Sequence, residues 1–333
     1  MCYKDEVQRK NAEKLQRKFD EDNVPIFIQR YFLRIDSKLA AINYWIAIKD
    51  LLGWLISEKI INRNCISNIL PEDFHNVESE DIKLYLITKQ EHGLSKTTLN
   101  TRKHIFGSFW EYLVDTNKCP VGKNVVRSVK YKGKSSTNNL IRKLPSEEQL
   151  NKMEEKIIRK HDGFVRIRNL CVFKVLKGTG MRESELAGLD IEDLFLDESS
   201  YNSIGEILPC VKIVGKGSYD KDESRSVYLT GSAIMAIKEW LEYRENIENI
   251  IDKDAVFINK NGKRLNEYNI QSIFKTYGDG ITPHMIRHWF ATIMAKTGNI
   301  VFAQQQLGHT SENTTINSYA NGAYGMKDIL ANM

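Results

Sequence analysis

Thr282-Pro283-His284-Met285-Ile286-Arg287-His288 is the stretch on which the reading of this chain turns. Threonine is a good N-cap and proline suits the first helical position, so a helix is predicted to start here. On that helix His284, Arg287 and His288 fall at i, i+3 and i+4 and share one face. A single turn then presents two imidazoles and a guanidinium. Such a set of hydrogen-bond donors suits an anion, above all a phosphate.

Four other features of the C-terminal half can supply the same phosphate. Arg182 follows the Gly-rich segment Lys177-Gly178-Thr179-Gly180, read as a turn, at the start of a helix beginning with residues 181–186. Lys216 stands between Gly215 and Gly217 at the tip of a hairpin whose strands are read at 207–214 and 225–229. His309 follows Leu307-Gly308 at a helix end, and Tyr319 closes a short helix read at 312–319. Two arginines, a lysine, two histidines and a tyrosine suit nucleophilic attack on a phosphodiester without metal. Each arginine can bond two phosphate oxygens and stays charged at working pH, so it offsets the charge that builds on the phosphorane. A tyrosine hydroxyl, with a pKa of about 10, attacks only when something takes its proton or stabilises its anion. A neighbouring histidine and the arginine field can do both, and a lysine on a hairpin tip can protonate the leaving 5′-oxygen.

Taken singly, each residue has a plainer reading. Arg182 could be a surface ion-pair partner of Glu185, Lys216 a solvated tip, His309 a helix C-cap, and Tyr319 a core tyrosine. His284 and His288 at i, i+4 could be zinc ligands, but a metalloprotease helix wants Glu where Met285 stands and has no use for Arg287 between its ligands. Tyr324 is a rival nucleophile, and the spacing from His309 favours Tyr319. Only the joint pattern overturns these readings.

The rest of the chain sets bounds. Its 333 residues, 41% hydrophobic and 27% charged, are enough for two domains. The five cysteines are scattered without a CxxC pair, so neither a disulfide framework nor a zinc ribbon is expected, and a reducing, cytoplasmic setting is. No signal peptide is read, and the most apolar stretch, 44–56, is broken by Lys49 and Asp50, so no membrane span is expected. The charge is uneven. Residues 1–143 hold 25 Lys+Arg against 17 Asp+Glu (net +8), whereas 144–333 hold 23 against 26 (net −3). A basic run can be a mere solvated face. Here, however, it leads into a Gly/Ser/Asn-rich linker, 131–143, which suits a surface that tracks phosphates. Lys96, Arg102, Lys103, Lys130, Lys132 and Lys134 are the candidate DNA contacts.

Before the linker every pattern is helical. An exposed N-terminal helix is read at 4–22, with Leu15 and Phe19 one turn apart. Helices follow from an N-cap at Ser37 to about residue 60, at 79–90, and from Ser95 until Pro120 and Gly122 stop it. Aromatics at helical spacing along them, Phe106, Phe109 and Trp110 among them, are read as core. After the linker come helices at 146–159, 162–176, 231–246, 267–276, 283–297 and 300–307, with a short strand candidate at 255–258. The division expected is a helical extension (1–22), a helical domain (23–130), the basic linker (131–143), and a second domain (144–333) that is mainly helical with a small antiparallel sheet.

This arrangement resembles the tyrosine recombinase (phage integrase) superfamily across both domains. Thr179-Gly180-Met181-Arg182-Glu183-Ser184-Glu185-Leu186 looks like its first arginine motif and Val214-Gly215-Lys216-Gly217 like its hairpin lysine. His284-Met285-Ile286-Arg287-His288 looks like its second arginine box, and Leu307-Gly308-His309 with Tyr319 completes the set. The resemblance implies a core-binding domain and a catalytic domain closing as a C-shaped clamp on duplex DNA. By the same token Arg182, Arg287 and His309 would hold the scissile phosphate, and His284 would accept and return a proton. Lys216 would protonate the leaving 5′-hydroxyl, Tyr319 would form a 3′-phosphotyrosyl link, and Glu185 and His288 would support the others. No cofactor, metal or ATP is implied. The partner is double-stranded DNA bearing paired sites, engaged by a homotetramer that is monomeric in free solution, with an accessory DNA-bending or directionality factor a further candidate. The setting implied is the nucleoid. Met326, Ile329, Leu330 and Met333 form an apolar stripe that could dock on its own domain or, as a tail spanning 322–333, on a neighbouring subunit. Integration or excision of a mobile element is the role expected. Dimer resolution of the Xer kind, inversion, a type IB-like topoisomerase, or a catalytically silent DNA-binding protein of the same fold are the alternatives.

Overall fold

The computed structural model describes residues 3–116, 122–131, 144–160, 162–205, 208–214, 224–296 and 300–308. The chain divides into two compact units, Met1–Asn138 and Asn139–Met333.

The first unit is helical throughout its described residues. Its main helices are α1 (Tyr3–Glu21), α2 (Ile26–Tyr31), α3 (Lys38–Ser57), α4 (Ser79–Glu91) and α5 (Lys96–Asp115). Their starts are written locally. The Ser37 hydroxyl accepts from the Ala40 amide at 3.3 Å, and that of Ser95 accepts from Thr98 at 3.1 Å, so each satisfies an orphan donor of the first turn. Gly93, at φ +91°, closes the turn after α4 in a conformation that side chains resist. Helix α5 ends at Asp115, before the stop expected at Pro120 and Gly122.

Two expectations change here. Helix α1 is no appendage: Leu15 and Phe19 are buried in the same core as α3 and α5, and the Phe19 ring meets that of Trp45 edge-on at 5.8 Å. Its remaining surface is charged, which is why the sequence reads as exposed. Helix α3 is long and apolar enough, by length and composition, to cross a membrane, contrary to the expectation of no span. Its apolar content has another cause. Ala41, Ile42, Trp45, Ala47, Ile48, Leu51, Leu52 and Leu55 are all buried inside the unit, as a core helix requires. The polar break at Asp50 takes hydrogen bonds from Tyr85 (2.8 Å) and Lys89 (2.7 Å) and pairs with Arg102. The aromatics of α5 are core, as expected: Phe106, Phe109 and Trp110 are fully enclosed.

The second unit is built around α7 (Gly163–Thr179), against which α6 (Glu147–Ile158), α10 (Gly231–Glu245) and α12 (Pro283–Lys296) all pack. With neighbours on several sides, α7 buries a run of consecutive residues, Cys171, Val172 and Phe173 with Val175 and Leu176, while Val165 and Leu170 are only half-buried. The segment read as a turn at 177–180 is in fact the last turn of α7. It ends at Gly180, which adopts φ +64° and donates its amide to the Leu176 carbonyl at 3.0 Å. A short helix, α8 (Glu183–Ala187), follows at once.

The small sheet has three antiparallel strands in the order β1 (Leu194–Phe195), β2 (Cys210–Val214), β3 (Ser224–Tyr228). Val211 stands opposite Val227 and Ile213 opposite Arg225. The predicted hairpin strands are present and the two-residue β1 is added. A five-residue helix, α9 (Glu198–Asn202), lies between β1 and β2. The candidate strand at 255–258 makes only isolated bridges, Asp190 with Ala255 and Ile258 with Arg264. Ala255, Val256, Phe257 and Ile258 are buried, and their apolar run reflects packing rather than a ladder. Helices α11 (Glu267–Tyr277) and α13 (Ile300–Leu307) complete the described unit.

Candidate active site

The site is assembled where α7 ends, α8 begins, β3 passes and α12 crosses α13. Helix α12 starts as its sequence demands, with the Thr282 hydroxyl accepting from the Met285 amide at 3.2 Å. From its first turns Arg287 runs inward. Its guanidinium donates through Nη1 to the Gly180 carbonyl (2.8 Å) and through Nη2 to the Leu307 carbonyl (2.7 Å). Both acceptors are orphan carbonyls at helix ends, and α7 and α13 are thereby pinned to one cation. The approach is close. A Cβ on Gly180 would stand 2.5 Å from Phe290 Cδ1 and 2.9 Å from Leu307 Cδ2, so only glycine fits the turn.

Arg182 is held by Glu185 at two points. The carboxylate accepts from the Arg182 amide (2.8 Å) and from Arg182 Nη1 (2.8 Å). The ion pair foreseen as the plain reading of Arg182 therefore exists, and it also orients the guanidinium, whose side chain stays 31% exposed. Glu185 itself is almost enclosed and takes a third bond, from Arg225 Nη2 at 3.1 Å.

The electrostatics are lopsided. Three arginines crowd one carboxylate. Burial alone would raise the Glu185 pKa, but Arg225 and then Arg182 outweigh it and hold the carboxyl below its ordinary value. Among the described residues, no carboxylate is bonded to Arg287. Burial first, and then repulsion from Arg182 and Arg225 against a partial offset by Glu185, pushes its pKa down to about 10. It remains charged at neutral pH, and an anion bound there would relieve that strain.

His284 and His288 bond each other rather than the carbonyls that Arg287 holds. Their Nε2 atoms are 2.9 Å apart and their rings meet edge-on at 4.4 Å, so one imidazole donates to the other. His284 is exposed and lines a groove with Glu183, Gln271 and Thr282. Arg287 reaches the carbonyls of Gly180 and Leu307, and the two histidines bond each other.

Arg225 is the residue that sequence reading missed, having been taken as no more than a strand start. The overlooked signal is parity. Alternation along β3 puts Arg225 on the same face as buried Val227, and opposite buried Ile213, so an arginine stands at a core-facing position. Of the other expected site residues, Lys216, His309, Tyr319 and the rival Tyr324 lie outside the described residues, as do Lys132, Lys134 and the tail 322–333. Of the candidate DNA contacts in the first unit, Arg102 is taken up by Asp50 and Tyr85, and Lys103 donates to the Val129 carbonyl at 2.6 Å. Both have structural work, because a long cation beside a buried acceptor is held there. Lys130 is exposed and Lys96 half-exposed.

With that geometry in hand, known proteins can be compared. Residues 146–325 match the model of the phage integrase family. Tyrosine recombinase XerC of Shigella flexneri serotype 5b is 27% identical over 251 residues, covering 73% of this chain and 76% of its own. Two solved structures share the fold. The XerH site-specific recombinase bound to a palindromic difH substrate aligns with a TM-score of 0.64 at 23% identity, covering 90% of this chain and 81% of that one. A lambda integrase tetramer bound to a Holliday junction aligns with a TM-score of 0.64 at 14% identity, covering 90% and 78%. The family match extends over more than half the chain and takes in the whole arginine cluster, and on that ground the protein belongs to the phage integrase family, the tyrosine recombinases.

Proposed function

We propose that this protein cuts and rejoins duplex DNA at specific sites through a 3′-phosphotyrosine, and that it serves the integration or excision of a mobile element. The observation that carries the chemistry is Arg287: a buried guanidinium bonded, among the described residues, only to carbonyls, beside Arg182 and Arg225, is a cation suited to an anion. A scissile phosphodiester is the anion that fits. Two of the five N–H groups of Arg287 are spent on carbonyls, and the others remain for phosphate oxygens.

In this reading Tyr319 Oη attacks phosphorus, the P–O5′ bond breaks, and the 3′-phosphate stays on the tyrosine. His284 takes the tyrosine proton, and Lys216 gives one to the departing 5′-oxygen. Arg182, Arg287 and His309 hold the phosphate oxygens as charge builds. Glu185 and His288 fix Arg182 and His284 in turn. The phosphodiester energy is retained in the covalent link, so rejoining by a 5′-hydroxyl needs neither ATP nor metal. The first unit, with Lys96, Lys130 and the basic linker, would add its own contacts to the duplex. The active assembly is a tetramer on paired sites, monomeric when free, with the tail 322–333 docked on a neighbour. Its place is the cytoplasm, on the nucleoid. The phage integrase match and the likeness to lambda integrase support the mobile-element role. Dimer resolution of the Xer kind is the second reading, favoured by the XerC relative.

One experiment tests the chemistry and the assembly together. The protein is incubated with nicked duplexes from its native sequence neighbourhood and quenched in detergent, and a parallel sample is run on a native gel. Wild type is expected to yield a DNA adduct that mass spectrometry maps to Tyr319, together with a complex holding two duplexes. Tyr319→Phe should bind the same DNA and give no adduct. An adduct on Tyr324 would replace the nucleophile, and turnover by Tyr319→Phe would sink the assignment.

A further inference from the structure

An arginine on the core-facing parity of a strand is a costly choice. A methionine or leucine would fill that position without desolvating a charge, and a buried cation is tolerated only when it is bonded. Arg225 is bonded once among the described residues, to Glu185, and its Nε is buried with no partner. Its guanidinium also lies close to Gly308. A Cβ there would stand 2.6 Å from Arg225 Nε and 2.8 Å from Cζ, and Gly308 takes φ +62°. The end of α13 is fastened to the same strand. Gln306, which is buried, accepts from the Tyr228 amide at 3.0 Å and donates to the Tyr228 carbonyl at 2.7 Å. The Leu307 carbonyl between them is the one that Arg287 holds.

We propose that Arg225 is a positioning residue of the phosphate site, acting on one side through Glu185, which orients Arg182, and on the other through Gly308, the residue before His309. This rests on the reading of Arg182 and His309 as phosphate contacts. One guanidinium thus ties together the two ends of the site that come from distant parts of the chain. Glu185 shares its carboxylate between both arginines, with Oε1 on Arg182 Nη1 and Oε2 on Arg225 Nη2. Without Arg225 the carboxylate keeps its two bonds to Arg182 but loses the one that anchors it to β3, so the Arg182–Glu185 pair loses its fixed direction relative to the strand, although the phosphate never touches Arg225. Positive charge at 225 also keeps Glu185 ionised, so that it acts only as an acceptor. A shorter side chain at this position would remove the group that backs Gly308 and leave the turn there looser.

The test is single-turnover cleavage of a nicked duplex at saturating protein, read as phosphotyrosyl adduct against time. Four proteins are compared with wild type: Arg225→Gln, Arg225→Lys, Glu185→Gln and the Arg225→Gln/Glu185→Gln double variant. Arg225→Gln should cleave about 100-fold slower, with DNA affinity within about 3-fold of wild type. Arg225→Lys should recover about 10-fold of that loss, because it restores charge but not the forked geometry. The double variant should be no slower than the slower single one, since both changes release the same arginine. Thermal melts show which proteins are folded, and if Arg225→Gln is not, Arg225→Lys and Glu185→Gln carry the comparison. Cleavage by Arg225→Gln at the wild-type rate would overturn the proposal. So would losses that multiply in the double variant, or a fall in DNA affinity as large as the fall in rate. If wild type itself forms no adduct, the recombinase reading fails first, and that outcome is distinct from any ranking among the variants.

Discussion

Two arginines of the catalytic unit are about equally buried and sit in opposite surroundings. Arg264 lies between two carboxylates: Nε donates to Asp252 at 2.9 Å, Nη2 pairs with Asp190, and Nη1 reaches the Leu189 carbonyl at 3.0 Å. Burial alone would lower its pKa, but the two carboxylates outweigh it and the pKa is raised. Arg287 meets carbonyls and other arginines, and its pKa falls to about 10. The first is a closed network that fastens the chain around Asp190 to that around Asp252. The second is left short of negative charge. The contrast teaches how to separate a structural arginine from one kept for a ligand: burial looks alike, and charge balance differs.

The comparison breaks most visibly at Arg287. Arg287→Lys should lower cleavage of a nicked duplex by about 1,000-fold, because an ammonium cannot keep both carbonyls and still fork onto a phosphate. Its melting temperature should move by only a few degrees. Retained cleavage would mean that the deficit of negative charge serves packing instead. At Arg264 the effects should be reversed. Arg264→Met leaves Asp190 and Asp252 facing each other without a cation, and should cost about 2–3 kcal/mol in urea unfolding. Cleavage per folded molecule should stay within about two-fold of wild type. A specific loss of rate at unchanged stability would erase the distinction.

The smallest expected effect is a matter of pH. Glu185 has its folded-state pKa below the ordinary 4.5, so the fold favours the ionised form. Its contribution to stability is therefore complete above that ordinary value and disappears as pH falls below it, through the depressed folded pKa. Glu185→Gln should be less stable than wild type by about 1 kcal/mol at pH 7. The gap should close as melts are taken from pH 5 to pH 3. A gap that persists in acid would show that packing, not charge, is what the carboxylate supplies.

Much of this was legible in the order of residues. Thr282 and Pro283 announced α12, Ser37 and Ser95 announced α3 and α5, and the pairing of Arg182 with Glu185 followed from a spacing of three. The errors share a cause. Residues 177–180 were read as a turn because glycines weaken a helix, yet α7 continues through Thr179, whose buried hydroxyl donates to the Val175 carbonyl at 2.7 Å. Helix α1 looked exposed because two apolar residues in a charged helix are few, and burial against Trp45 and Phe32 is invisible along the chain. That Arg102 pairs with Asp50 was likewise out of reach, because the two lie 52 residues apart.

What the sequence determined by itself is what a few neighbouring residues can enforce: caps, helical periods, the small hairpin, and the inventory of cations and nucleophile that marks the family. What only the tertiary structure decided is how those cations are shared. Arg225 meets Glu185 across 40 residues and Arg287 meets the Gly180 carbonyl across 107. Local preferences act over a turn or two of chain, whereas the charge balance at a buried site is set by whichever distant groups packing brings within a few ångströms.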